Sequence, residues 1–129
     1  MIVLDTQAWL WWLSAPAKLS RRASRAIEGA DLVGVCTISA WEVATLVERG
    51  RIALDRDVRT WIDQALARER VHPLPLTVDV AIDAVLLPRD GFGGDPADRI
   101  IYATAARSES PIVTRDERMR AFDSARALW

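Results

Sequence analysis

The strongest constraint in this chain is a repeated change of period. Short apolar runs that read as strands pass, one after another, into stretches with helical spacing. Ile2-Val3-Leu4 ends at Asp5 and leads straight into Thr6 to Leu13. Ser20 to Ala30 has helical composition, Leu32 to Cys36 strand composition, and Ser39 opens a helix through Glu48 that stops at Gly50. A further helix runs from about Asp57 to Arg70. Val71 to Leu76 holds only a short strand, because Pro73 and Pro75 each remove a ladder donor. Val78 to Leu87 returns to helical spacing and Pro88 ends it, after which Arg89 to Gly94 is the most loop-like stretch. Asp95 to Ala106 reads as a helix with proline in its first turn, Ile112-Val113 as a strand, and Ala125 to Trp129 as an edge strand. Strands alternating with helices predict a three-layer α/β/α domain around a central, mostly parallel sheet, spanning residues 1–129 as one domain.

Composition narrows the chemistry. Half of the 129 residues are hydrophobic, enough for one core without disulfides. Cys36 is the only cysteine and is expected to be a buried, reduced thiol. With one cysteine and one histidine the chain cannot build a Cys/His zinc site or a two-histidine ribonuclease centre, so any catalysis falls to carboxylates. A net charge of −1 argues against coating nucleic acid by bulk positive charge. No apolar run approaches a membrane span and no signal-like segment opens the chain, so a cytoplasmic location is expected.

Four acids fall at strand ends or helix starts: Asp5, Glu42, Asp98 and Asp116. In such sheets ligands bind at the carboxyl ends of the strands, where strand order reverses. Each acid except Asp5 also has a simple capping reading: Ser39 and Glu42 as a capping box, Asp95 and Asp98 at the N-cap and third helical positions, Asp116 as a last cap. Four carboxylates crowded at one rim would repel one another unless a cation sat among them, and a hard divalent ion such as Mg²⁺, or Mn²⁺ in its place, suits all-oxygen ligands. Such an ion serves phosphodiester hydrolysis.

Asp5 in Ile-Val-Leu-Asp-Thr, Glu42 in Ile-Ser-Ala-Trp-Glu-Val, Asp95 and Asp98 in Gly-Asp-Pro-Ala-Asp-Arg-Ile-Ile, and Asp116 closing Val-Thr-Arg-Asp follow one another in an order and spacing that resembles the PIN-domain family, over nearly the whole chain and closest to the VapC toxins. The resemblance implies a Mg²⁺-dependent endoribonuclease, the toxin of a toxin–antitoxin pair. Asp5 and Asp98 would be the principal metal ligands, with Glu42 and Asp116 completing the pocket and Asp116 also counted toward the metal. Asp95 would act as a supporting or capping group. Thr6 and Thr114 flank the site as hydroxyls for a carboxylate or for backbone. Arg99 and Arg115 read either as holders of RNA phosphates or as members of exposed ion pairs. Related toxins often carry a histidine where this chain has Phe92-Gly93-Gly94, so no histidine can serve as base at that rim.

Trp9, Trp11 and Trp12 lie within four positions of one helix and cannot share a narrow face, so either at least one is exposed or at an interface or all three fill the core. The resemblance implies a homodimer and a VapB-like antitoxin, within a larger assembly. A catalytically silent PIN-like module that binds RNA or protein is the alternative from another class. An aspartyl-phosphate phosphatase is disfavoured by Gln7 where a second aspartate is needed, and a receiver domain by the lack of a late lysine. The short chain leaves no room for the arch of a flap-type nuclease.

Overall fold

The computed structural model describes all 129 residues. Five short strands, β1 (Ile2–Leu4), β2 (Val33–Cys36), β3 (Val71–Leu74), β4 (Ile112–Val113) and β5 (Ala127–Leu128), form one sheet in the order β3-β2-β1-β4-β5. Every pairing is parallel, with Ile2 opposite Val33, Leu4 opposite Val113, Val33 opposite Val71 and Ile112 opposite Ala127. The helices are α1 (Thr6–Ser14), α2 (Arg21–Gly29), α3 (Thr37–Glu48), α4 (Val58–Leu66), α5 (Val78–Leu86), α6 (Arg89–Phe92), α7 (Pro96–Arg107) and α8 (Glu117–Phe122).

Strand alternation divides the core into two layers. Ile2 and Leu4 of β1, Val33 and Val35 of β2 and Val113 of β4 join one cluster with Trp9, Ile27, Val43, Trp61 and Ala65. Val3, Cys36 and Ile112 point to the other face, where Phe92, Ile101, Tyr102 and Met119 cover them. Burial on both faces explains why these strands are uninterrupted apolar runs. The chain steps from β1 outward through β2 to β3, then crosses to the far side of β1 as β4. The strand order therefore reverses beside β1, and the residues after β1 and β4 open the crevice there.

Three local differences from the sequence reading stand out, while the short strand expected around Pro73 is present. Helix α3 begins at Thr37, two residues before Ser39, with Cys36 at the N-cap position making no side-chain cap bond. The Ser39–Glu42 capping box is therefore not formed. The predicted fourth helix ends at Leu66, and Arg70, at φ 69°, turns the chain into β3. Pro73 is accommodated because β3 is an edge strand. The segment read as loop contains one helical turn, Arg89–Phe92, which buries Phe92 against Tyr102 and Phe122 at ring separations of 5.0 and 5.3 Å.

The tryptophans separate as their spacing requires. Trp9 is fully buried, edge-on to Trp61 at 5.3 Å. Trp11 is half-buried beside Trp129, and Trp12 lies under Arg68. The exposed one is Trp41, 62 % accessible on α3. No helix is long and apolar enough to cross a membrane.

Candidate metal and catalytic site

Asp5, Thr6, Glu42, Asp98, Arg115 and Asp116 line one cleft of about 470 Å³ at the carboxyl ends of β1 and β4. Asp5 is buried directly after β1 and, beyond the site role expected of it, also caps a helix. Its Oδ1 accepts the Ala8 N–H at 2.7 Å, making it the N-cap of α1. Asp116 caps α8 in the same way, accepting from Met119 N at 2.8 Å. Each cap occupies one carboxylate oxygen and leaves the other for a ligand, so capping and site duty do not compete. Thr114, fully buried at the end of β4, accepts the Asp116 N–H at 3.0 Å and favours the ionised form of Asp5.

Asp98 differs from both. It occupies the third position of α7, and its carboxylate makes no hydrogen bond; only its backbone N–H is bonded, to Asp95 Oδ1 at 3.2 Å. Asp95 is the N-cap, exposed, and it lines the neighbouring groove with Glu42 rather than the acid cleft itself. Glu42 stands well past the first turn of α3, where it caps nothing. The Thr6 hydroxyl donates to its Oε1 at 2.5 Å and lies 2.9 Å from the hydroxyl of buried Ser39. Thr6 has one proton, and the carboxylate is the stronger acceptor, so Ser39, Thr6 and Glu42 form a directed chain. Ser39 was expected as a cap; with Glu42 three residues on, its spacing instead puts both on the face that meets Thr6. Gln7 and Glu117 also line the cleft, and only their adjacency to Thr6 and Asp116 marked them in the sequence.

The electrostatics follow from crowding. Burial, with repulsion from Asp116 and Glu42, pushes Asp5 up to about 6 despite its bonds to Thr114 and Ala8. Burial and the charges of Asp95, Asp116, Glu42 and Asp5 push Asp98 up to about 7. Glu42 is raised mainly by burial, partly offset by Thr6. No arginine or lysine forms an ion pair with any of these acids. What offsets the charge is the N-terminal ends of α1, α7 and α8, which all face this crevice. No three acid, imidazole or thiol groups stand closely enough to hold one ion together. A hard divalent cation that takes one or two carboxylates directly and keeps much of its water needs no such group. The donor set is all oxygen: Cys36 is buried in the other core layer, and His72 lies exposed on edge strand β3.

The two arginines part company. Arg115 is exposed at the cleft rim, its guanidinium 5.7 Å from the Trp11 ring centre, with no carboxylate partner. Arg99, expected on phosphate or in an exposed ion pair, is buried, and four backbone carbonyls take its donors. The carbonyls left open at the end of α5 draw it inward, so it is not free for phosphate.

Residues 2–125 match the PIN domain family. The chain is 44 % identical over 119 residues to Ribonuclease VapC22 of Mycobacterium tuberculosis, covering 92 % of this chain and 89 % of that one. Among solved structures it resembles VapBC2 from Rickettsia felis bound to a promoter DNA fragment, with TM-score 0.70, 13 % identity and coverage of 99 % and 98 %. It also resembles a toxin–antitoxin complex from Klebsiella pneumoniae, with TM-score 0.68, 20 % identity and coverage of 100 % and 97 %. An acid-lined cleft at the reversal point of a five-stranded parallel sheet, with this match along nearly its whole length, makes the chain a member of the PIN domain family.

Proposed function

We propose that this chain is a single-domain, metal-dependent endoribonuclease acting as the toxin of a toxin–antitoxin pair, with Asp5, Glu42, Asp98 and Asp116 as its catalytic residues. The observation that carries the reading is the cleft itself. Asp5, Glu42, Asp98 and Asp116 share it without an ion-pair partner, and burial together with mutual repulsion raises Asp5 to about 6 and Asp98 to about 7. A site so arranged lowers its energy by taking up a divalent cation. Identity of 44 % to a protein named as a ribonuclease supports the same activity here.

Asp5, Asp98 and Asp116 would share in holding Mg²⁺, one or two of them directly, with Mn²⁺ able to replace it. Such an ion supplies Lewis-acid charge that stabilises a phosphodiester under attack and makes water a better nucleophile. The rest belongs to the chain. Thr6, backed by Ser39, aims the Glu42 carboxylate into the cleft, and the raised affinity of Glu42 for protons suits it to take one from the attacking water. Arg115, steadied on Trp11 and unpaired, is placed to bind an RNA phosphate. The ends of α1, α7 and α8 add positive potential for the same anion. Asp95 and Thr114 support Asp98 and Asp5 through the bonds described.

The partners proposed are RNA, a second copy of the chain and a VapB-like antitoxin, in the cytoplasm. Val78, Ile82, Val85 and Leu86 on the outer face of α5 are 53–77 % exposed, and Trp41 stands beside the cleft. An apolar surface of this kind is what a protein interface requires. Incubation of purified protein with total cellular RNA tests the activity: cleavage in Mg²⁺ that EDTA stops is expected, and RNA that stays intact in both favours a silent RNA- or protein-binding PIN module.

A further inference from the structure

Arg99 is the only basic side chain in the buried interior. It has no carboxylate partner. Instead Nε donates to Ala84 O at 2.9 Å, Nη1 to Gly93 O at 2.7 Å, and Nη2 to Val85 O at 3.2 Å and Leu87 O at 2.5 Å. Ala84, Val85 and Leu87 belong to the last turn and cap of α5, where no backbone cap bond closes the helix. The guanidinium therefore caps α5, and the partial negative charge of that helix end replaces a counter-ion. Its flat face also lies 6.0 Å from the ring centre of Phe92.

The position of this grip matters more than its strength. Residues 87–94 connect α5 to α7 with only one helical turn of their own, and they enter α7 through Gly93 at φ 93°, a conformation that favours glycine. Arg99 fastens both ends of that connection, at Leu87 O and Gly93 O, to the first turn of α7. Asp98 is the adjacent residue in that turn, and no hydrogen bond holds its carboxylate. Asp5, Glu42 and Asp116 are each fixed by side-chain bonds, whereas Asp98 stands wherever the turn stands.

We propose that Arg99 is a positioning residue for the metal site: its four-carbonyl grip sets where Asp98 stands relative to Asp5, and thereby the affinity of the cleft for a divalent cation. The inference rests on the metal-dependent reading above and adds to it a residue that touches neither metal nor RNA. Lysine cannot replace it, because one ammonium keeps the charge but reaches no such spread of acceptors.

The test is Arg99→Lys, read by counting free Mn²⁺ by electron paramagnetic resonance over the folded protein. Loss of a group that orients a ligand typically weakens metal binding ~10-fold or more, and that is the expected rise in dissociation constant. The Mg²⁺ concentration for half-maximal RNA cleavage is expected to rise in parallel, while the rate at saturating Mg²⁺ falls much less. A merely structural role would lower the folded fraction and the rate but leave both metal midpoints unmoved. Tyr102→Phe, also on α7, is the matched control, since it removes a 2.8 Å bond to Asp123 at the end of α8 without touching the grip. Its Mn²⁺ affinity is expected to equal wild type.

A second measurement needs no variant. Coupling is reciprocal, so Mg²⁺ added to the wild type is expected to slow amide exchange across residues 86–98. If Arg99→Lys does not fold, this exchange decides alone. Wild-type affinity in folded Arg99→Lys, or unchanged exchange in wild type that takes up Mn²⁺, overturns the inference. Wild type that takes up no Mn²⁺ overturns the metal reading first and the inference with it.

Discussion

Replacing Asp98 by asparagine should stabilise the metal-free protein while removing its activity. The Asp98 carboxylate has no hydrogen-bond partner to lose, so the substitution chiefly deletes its charge. Its pKa rises from 3.8 to about 7 because burial and four other acids oppose ionisation. At ~1.4 kcal/mol per unit this amounts to ~4 kcal/mol above neutrality, reduced to ~2 kcal/mol because the group is only partly buried and solvent screens it. The favourable effect of an acid in the first turn of α7 offsets ~0.5 kcal/mol of that. The net gain of ~1.5 kcal/mol corresponds to a Tm about 5 °C higher for a chain of this size. The sign with pH follows from linkage. The folded pKa lies above the unfolded one, so the stability tied to the protonated carboxyl is complete below about pH 4 and is lost as pH rises through about 7. Thermal melts in EDTA should therefore show the wild type losing stability from pH 4 to 8, and Asp98→Asn losing clearly less. Mg²⁺ at pH 8 should raise the wild-type Tm and leave the variant nearly unmoved. Equal melting of the two proteins at pH 8 in EDTA, with equal pH slopes, would refute the reasoning.

Other consequences are more local. Thr6→Val removes the donor that holds Glu42 and leaves buried Ser39 without its partner, so a loss of ~1–3 kcal/mol in stability and a fall in cleavage rate at saturating Mg²⁺ are expected, by denaturant melts and single-turnover kinetics. Cys36 is 1 % exposed with its thiol pushed up to about 11 by burial, so Ellman's reagent should label it only after unfolding; rapid labelling of the native protein would contradict the fold. Val78 and Val85 are 77 % and 71 % exposed, so changing both to glutamate should alter monomer stability by less than ~1 kcal/mol yet weaken self-association in sedimentation. An unchanged sedimentation profile would move the dimer interface off α5.

The architecture was legible because both faces of the sheet are covered, which writes strands as plain apolar runs and leaves helices their own period. Asp5, Glu42 and Asp98 stood out as acids at the ends of such runs or at helix starts. What stayed hidden depended on direction rather than type. Ser39 and Glu42 look the same in sequence whether they close a capping box or face Thr6, and the choice turned on α3 beginning two residues earlier. Arg99 looked like a surface cation because nothing local shows that the end of α5 lacks other donors. Asp5 was not expected to cap α1, since an acid directly after a strand reads first as a ligand. Trp41 is exposed although Trp9, in an equally apolar helix, is buried, because α3 turns its residue toward the groove beside α7.

The central claim is that one divalent-cation site, built on Asp5 and Asp98, carries RNA cleavage. The most direct test is RNA cleavage by purified wild type, Asp5→Asn and Asp98→Asn across a Mg²⁺ titration, with free Mn²⁺ counted in parallel on the same samples. The account predicts that the wild type cleaves in proportion to metal uptake and that each substitution abolishes both while the protein remains folded. Cleavage that persists in either variant, or in wild type with EDTA, would contradict it.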